Sequence, residues 1–243
     1  MKKFLVFYFI ITIFFNIGGE IEKKGVISAL EGSAQKRNVE NFNWLKAKLQ
    51  MDVKSNDVLR TLPESFAEIS LLRGTKIRLA PKTMVNMVKL YEEKENQLIT
   101  EIEVEEGEIW GNVNKENESE VFEFGSTSVS TSVVGTIFRI NSLENGALIK
   151  VYKGNVKVKN RKKKGEGKED KPKIKKPTEV EGPREVEGPK EVSMEEWVVI
   201  VDQMMALRVE DGEVVSLEEI DEKAEDEKSN WVIWNKKKDG LIE

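Results

Sequence analysis

The residue types that many enzymes use for nucleophilic and metal chemistry are missing from this sequence. Its 243 residues include no histidine and no cysteine. This composition excludes Ser-His-Asp and Cys-His sites, and it excludes zinc sites built from imidazole or thiolate. Carboxylate pairs, serine–lysine catalysis and an oxygen-ligated ion remain. The acidic residues alternate with apolar strand positions or cluster in polar segments, and no Asp-x-Asp loop occurs. We therefore expect no catalytic residue, no metal and no cofactor.

A run of hydroxyl side chains offers a binding surface instead. At strand spacing, Ser126, Ser128 and Ser130 share one face, and no general base adjoins them in the sequence. Such a face could accept a glycan or a partner strand. An exposed tryptophan, with Trp110 as the candidate, could stack on a sugar ring. The alternatives are an ordinary strand of small residues and tryptophans that fill the core.

The elements that would position this surface are strands. From Val26 to Val158, apolar residues recur at period two in short runs separated by Gly, Asn, Asp or Pro. This pattern predicts strands with one buried face. Their regular spacing, without a long helical pattern, favours an all-β roll, sandwich or short solenoid. Residues 20–160 are thus expected to form one β domain.

One hairpin in this domain can be predicted residue by residue. Apolar side chains alternate in Ala67–Leu71 and in Thr75–Leu79, and Gly74 between them tolerates a positive φ. The polar residues of the two runs, among them Glu68 and Arg78, are expected to point outward.

The C-terminal third changes composition twice. Residues 161–192 are rich in Lys, Pro and Glu and predict a disordered linker. Residues 193–243 predict further strands and a helix that pack on the β domain. Ser216 followed by Glu219 is a capping-box pattern, so the helix is expected to begin near Leu217 and to dock through Trp231 and Trp234.

The N-terminus predicts export. Two lysines precede an apolar run from Phe4 to Phe15, which is the pattern of a signal peptide over residues 1–19. An uncleaved anchor is the alternative, and it would be the only part in contact with a membrane. The formal net charge of −5 argues against a nucleic-acid partner.

Several segments, in order, resemble the FecR domain family of bacterial envelope proteins over roughly Gly25 to Val158. The most diagnostic are Val133-Val134-Gly135-Thr136-Ile137-Phe138 and the closing Gly154-Asn155-Val156. The residues that carry the resemblance, each of which has a plain structural reading in turns or packing, include Trp44, Asp57, Thr61, Gly74, Gly107, Gly135, Thr136, Phe138 and Gly154.

The resemblance implies a periplasmic binding and signalling module. Family members that regulate transcription act on a sigma factor through a cytoplasmic N-terminal region, whereas only Met1 to Lys3 precede the apolar run here. We therefore expect an exported, non-enzymatic, stand-alone FecR-like domain that binds an envelope protein or polysaccharide. The alternatives are a structural component of the envelope and a carboxylate-dependent glycan hydrolase.

Overall fold

The computed structural model describes residues 23–114, 119–161 and 197–243. The predicted signal segment 1–19 and residues 162–192 of the predicted linker lie outside this part of the chain. Within it, the structure is mostly β, with 17 strands and one α-helix, which confirms the all-β prediction.

The first nine strands run from the N-terminal end of the described chain to a long bent strand. They are β1 (Gly25–Glu31), β2 (Ala34–Asn38), β3 (Leu45–Lys46), β4 (Asp52–Val53), β5 (Asp57–Thr61), β6 (Phe66–Ser70), β7 (Lys76–Leu79), β8 (Met84–Lys94) and β9 (Gln97–Asn112).

The remaining strands precede a single C-terminal helix. They are β10 (Glu120–Gly125), β11 (Val129–Val133), β12 (Ile137–Leu143), β13 (Gly146–Lys153), β14 (Val156–Asn160), β15 (Val198–Val201), β16 (Met205–Glu210) and β17 (Glu213–Glu219), followed by α1 (Asn230–Lys238). Short 3₁₀ turns occupy Leu72–Gly74 and Asp226–Lys228.

The strands form two sheets that share β9. The first sheet has the order β4-β1-β6-β7-β9-β12-β13-β16-β17. The second has the order β3-β2-β5-β8-β9-β10-β11-β14-β15. β9 passes from one to the other at Gly107, whose φ of 82° is accessible to glycine at little cost. The two sheets enclose one apolar core, so a sandwich is the form that the chain adopts among the three expected.

The core is built from the period-two positions that the sequence indicates. Ile27 and Ile69 of the first sheet and Leu59, Val85 and Phe124 of the second are fully buried in one cluster. The register of each strand is therefore well defined, because a shift of one residue would turn its apolar side chains away from the core and its polar side chains toward it.

The predicted hairpin is present as β6 and β7, with Ile69 opposite Ile77. Arg73 and Gly74 both have positive φ, at 54° and 77°, in the turn between them. Glu68 and Arg78 lie on the outer face of the sheet, as predicted, but this face is not open to solvent at these two residues. Glu68 and Arg78 are 3% and 1% exposed, because the C-terminal segment covers them.

The C-terminal helix lies later than the capping-box pattern predicts. Residues 213–219 form β17, which pairs with β16 across a turn at Asp211 and Gly212, where φ is 51° and 83°. Positive φ at both turn residues suits a tight hairpin, and this pairing prevails over the local helical signal. The helix begins at Asn230, and the Ser229 side chain caps it by accepting a hydrogen bond from the Val232 N–H.

None of the helical segments within the described ranges has the length and apolar content needed to cross a bilayer.

Candidate functional site

The C-terminal segment from Ile220 to Asp239, here called the cap, lies over the outer face of the first sheet. Trp231 stacks on Phe66 with ring centroids 5.3 Å apart, and Trp234 lies 6.3 Å from the same ring. Trp110 stacks on Tyr152 at 4.5 Å beneath the cap. These rings form a second apolar cluster, separate from the core between the sheets.

Arg78 is the centre of a buried ion network between the sheet and the cap. Its Nε donates to Glu68 Oε2 at 2.7 Å, and its two terminal nitrogens donate to the two Asp239 oxygens at 2.8 and 2.9 Å. One of those nitrogens also donates to Asn235 Oδ1 at 3.2 Å. Trp110 Nε1 donates to Asp239 Oδ2 at 2.7 Å. The fork of the guanidinium thus ties β6 and β7 to the end of α1.

This network keeps its carboxylates ionised. Burial by itself would raise the pKa of Glu68, but hydrogen bonds from Arg78, Ser28 and Lys76 outweigh it and lower that pKa to about 2. Burial also opposes ionisation of Asp239, and its hydrogen bonds, first among them that from Arg78, lower its pKa.

A second network joins the cap to β12 and β13. Arg139 and Lys150 both contact Asp226, each at 2.6 Å from its Oδ2. Both also contact Glu227 Oε1, at 3.2 and 2.9 Å. Tyr152 Oη donates to the same oxygen at 3.0 Å. Glu227 is 3% exposed, so its charge depends on these partners.

A cleft of about 420 Å³ lies beside this second network, between the β7–β8 loop, the bend of β9 and the cap. Glu106, Glu108 and Asp226 line it, together with Arg139. Burial raises the pKa of Glu108, although Arg139 and a hydrogen bond from Trp231 oppose the shift. The cleft is thus a mixed-charge site.

The cleft is better arranged for holding the cap than for carboxylate catalysis. Arg139 contacts Glu108 at 3.2 Å and also contacts Asp226. Its guanidinium therefore balances the charge of two of the three carboxylates. Glu108 Oε1 also accepts a 2.7 Å hydrogen bond from Trp231 Nε1. Within the ranges that the structure describes, no group of acidic side chains could hold a metal ion.

The predicted ligand surface is not formed. Trp110 is 0% exposed, because the cap and Tyr152 cover its ring, so its prediction as a stacking surface was wrong. Ser126 and Ser128 lie in the loop before β11 and are 0% and 9% exposed, so they form no exposed hydroxyl surface with Ser130. Ser130 is half-buried and lines a separate cavity of about 260 Å³.

Three of the family-pattern residues hold the turns around β5 and β9. Asp57 Oδ2 accepts hydrogen bonds from the Lys54 N–H and Lys36 Nζ, both at 2.8 Å. Thr61 Oγ1 accepts from the Thr83 N–H at 3.0 Å. A Cβ on Gly107 would lie 2.5 Å from Thr83 Oγ1.

The residues of the most diagnostic segments meet where β14 begins. Thr136 Oγ1 donates to the Asn155 carbonyl at 2.9 Å. A Cβ on Gly154 would lie 2.9 Å from the Gly135 carbonyl oxygen. Phe138 packs edge-on against Phe124 in the core, with centroids 4.9 Å apart.

Trp44 is the last family-pattern residue to be located, apart from Gly74 in the β6–β7 turn. It is half-buried and directly precedes β3. The guanidinium carbons of Arg60 and Arg37 lie 4.0 and 5.0 Å from its ring centroid. This arrangement is a double cation–π contact.

The outer edge of the first sheet is open at β17. Among the described residues, β17 pairs with β16 alone. Val214, Val215 and Leu217 on this strand are 40%, 55% and 43% exposed. Sequence analysis missed this surface because Ser216 and Glu219 were interpreted as a capping box and Leu217 as the start of a helix, whereas all three lie in β17.

Comparison with known proteins gives a matching family and three matching chains among solved structures. Residues 57–157 match the family described as FecR protein. Two crystal structures of a candidate anti-sigma factor from Parabacteroides distasonis, at 1.65 and 2.50 Å resolution, are similar with a TM-score of 0.44 each and identities of 17% and 18%. Each likeness covers 68% of this chain, and the chain spans 61% of the length of the solved one. No curated protein matches the chain.

Proposed function

We propose, from the match of residues 57–157 to the FecR family, that the chain is an exported, non-catalytic envelope protein that acts in signalling by binding a partner protein. The site of binding is the free edge of β17, where an extended partner segment adds as a further strand. A protein is favoured over a polysaccharide because the exposed feature is a backbone edge and β17 itself carries no aromatic side chain that could stack on a sugar ring.

The carrying observation is the exposure of apolar side chains on an unpaired strand. Natural proteins commonly shield such edges, since an exposed strand is a template for another chain. On β17, Val214, Val215 and Leu217 remain open to solvent. Val215 lies at the register shift in the β16–β17 pairing and has no opposite residue. The partner strand gains apolar contacts here as well as backbone hydrogen bonds.

The charges around this edge define the chemistry of the partner. Glu213, Glu218 and Glu219 are exposed on β17 itself. A second copy would place Glu213 opposite Glu219 when the strands pair antiparallel about Ser216, and this like-charge contact disfavours self-pairing. The partner segment is therefore expected to carry apolar residues together with Lys or Arg.

The test compares two edge variants of the full chain in capture from envelope extracts. The double variant Val215→Glu with Leu217→Glu places charge on β17. The matched control, Val198→Glu with Ile200→Glu, alters residues of β15 that are 57% and 60% exposed. A specific envelope protein should be retained by the wild type and the control and lost from the β17 variant. β15 is the edge strand of the second sheet, so loss of the protein from the β15 variant would contradict the proposal, as would equal retention by all three or no specific protein.

The first alternative is a structural envelope component, and this hypothesis would be supported if no partner is retained. The second alternative, a glycan hydrolase, rests on the carboxylates of the cleft. The guanidinium of Arg139 between Glu108 and Asp226 argues against it, because a neutralised carboxylate is a poor base or nucleophile.

A further inference from the structure

Residues 41–50 lie between β2 and β4 and include β3. They form an exposed apolar and basic segment at the end of the sandwich opposite β17. Phe42, Leu45 and Leu49 are 86%, 60% and 57% exposed. Lys46 and Lys48 lie between Leu45 and Leu49 in the sequence and are also exposed. Large apolar side chains concentrated in one short surface segment mark an interaction site.

The charge of this segment is of one sign. Residues 41–50 contain two lysines and no acidic residue, whereas the whole chain has a formal net charge of −5. Beside it, Arg37 and Arg60 flank the half-buried ring of Trp44. A segment with only cations and exposed apolar groups, in a chain that is acidic as a whole, is suited to a partner with anionic groups over an apolar layer.

The position of this segment selects a lipid surface among such partners. The Gln50 N–H donates to the Ile27 carbonyl at 2.9 Å, and Gly25 pairs with Val53. The segment therefore adjoins the start of β1, close to where the described chain begins at residue 23. The apolar run from Phe4 to Phe15 precedes this point in the sequence.

We propose that residues 41–50 dock on an anionic membrane surface, with Phe42, Leu45 and Leu49 in the interfacial region and Lys46 and Lys48 at the headgroups. Interfacial binding of this kind combines buried apolar area with attraction to anionic lipids. The docked domain would then present the β17 edge away from the bilayer. This inference is independent of whether β17 binds a partner.

The lack of cysteine allows a direct test with the full chain. Phe42→Cys and Leu49→Cys each introduce a single thiol, which is labelled with an environment-sensitive fluorophore. Val215→Cys, on the opposite edge, is the matched control. The labelled proteins are mixed with vesicles of phosphatidylcholine alone or with phosphatidylglycerol added. The labels at 42 and 49 should shift to the blue with the anionic vesicles and be quenched by lipid-borne quenchers, and the label at 215 should not.

Two further measurements make the outcome decisive. Replacing Lys46 or Lys48 by Ala in the labelled protein should reduce the ratio of lipid-contacting to water-exposed label about fivefold per lysine, and added salt should reduce it further. Labels at 42 and 49 that stay water-exposed, or that match position 215, would overturn the proposal even if residues 1–22 tether the chain. A shift that needs no lipid and grows with protein concentration would show self-association instead and would equally overturn it.

Discussion

Replacing Arg78 by Met should test whether buried charges hold the cap on the sheet. The substitution preserves much of the side-chain length but leaves Glu68 and Asp239 without their shared cation. Glu68 keeps contacts of 3.0 Å to Lys76 and 2.8 Å to Ser28, and Asp239 keeps the Trp110 N–H. Removing one partner of a buried ion pair costs about 3–5 kcal/mol, because the remaining charge stays desolvated.

The measurement is the free energy of unfolding in urea, followed by tryptophan fluorescence. The matched control is Arg208→Ala, which removes a pair with Glu210 whose side chains are 46% and 42% exposed. Such an exposed pair contributes about 1 kcal/mol or less. Addition of Asp239→Asn to Arg78→Met should cost less than the sum of the two single changes, since the residues are in contact. If Arg78→Met cost no more than Arg208→Ala, the cap would not depend on this network.

Two other predictions concern backbone and acid stability. Gly107→Ala should destabilise the fold by more than about 2 kcal/mol, because its φ is positive and the Cβ would meet a threonine hydroxyl at 2.5 Å. Gly240→Ala, with a positive φ of 67° but nothing within 4 Å, should cost about 1 kcal/mol, and equal costs in thermal unfolding would contradict the packing argument. The pKa values of Glu68 and Asp239 are lowered in the folded state, so their contribution to stability is present above the unfolded value of about 4 and is lost as the pH falls below it, in the case of Glu68 toward its folded pKa of about 2. Glu108, with a raised pKa, opposes this trend, and a stability that stayed constant from pH 5 to about pH 2 in urea titrations would refute the assignment.

The strands of the sandwich could be predicted because each carries its own signal. Period-two apolar residues and a positive-φ turn specify β6 and β7 without reference to distant residues, and the register of Ile69 with Ile77 follows from that pattern. The same reasoning applies to the turn at Asp211 and Gly212.

The burial of charge could not be predicted from local pattern. Glu68 and Arg78 occupy alternate positions that normally face solvent, and only the distant Asp239 makes them part of a dry interface. The capping-box residues Ser216 and Glu219 were misread for a related reason, since their strand conformation depends on pairing with β16. Long-range partners decide both cases, and a single sequence does not reveal such partners.

The pairing of β14 with β15 has a consequence for how this chain can vary in evolution. Lys159 lies opposite Val198, so the described chain stops at residue 161 and resumes at residue 197 at adjacent points of one sheet edge. When the two ends of a connection lie close together, its length has little effect on stability, since each doubling of a flexible loop costs only about 0.6 kcal/mol. Homologous chains can therefore lengthen, shorten or replace this segment while both sheets keep their strand order. The same junction is a natural position for grafting a reporter or an affinity sequence.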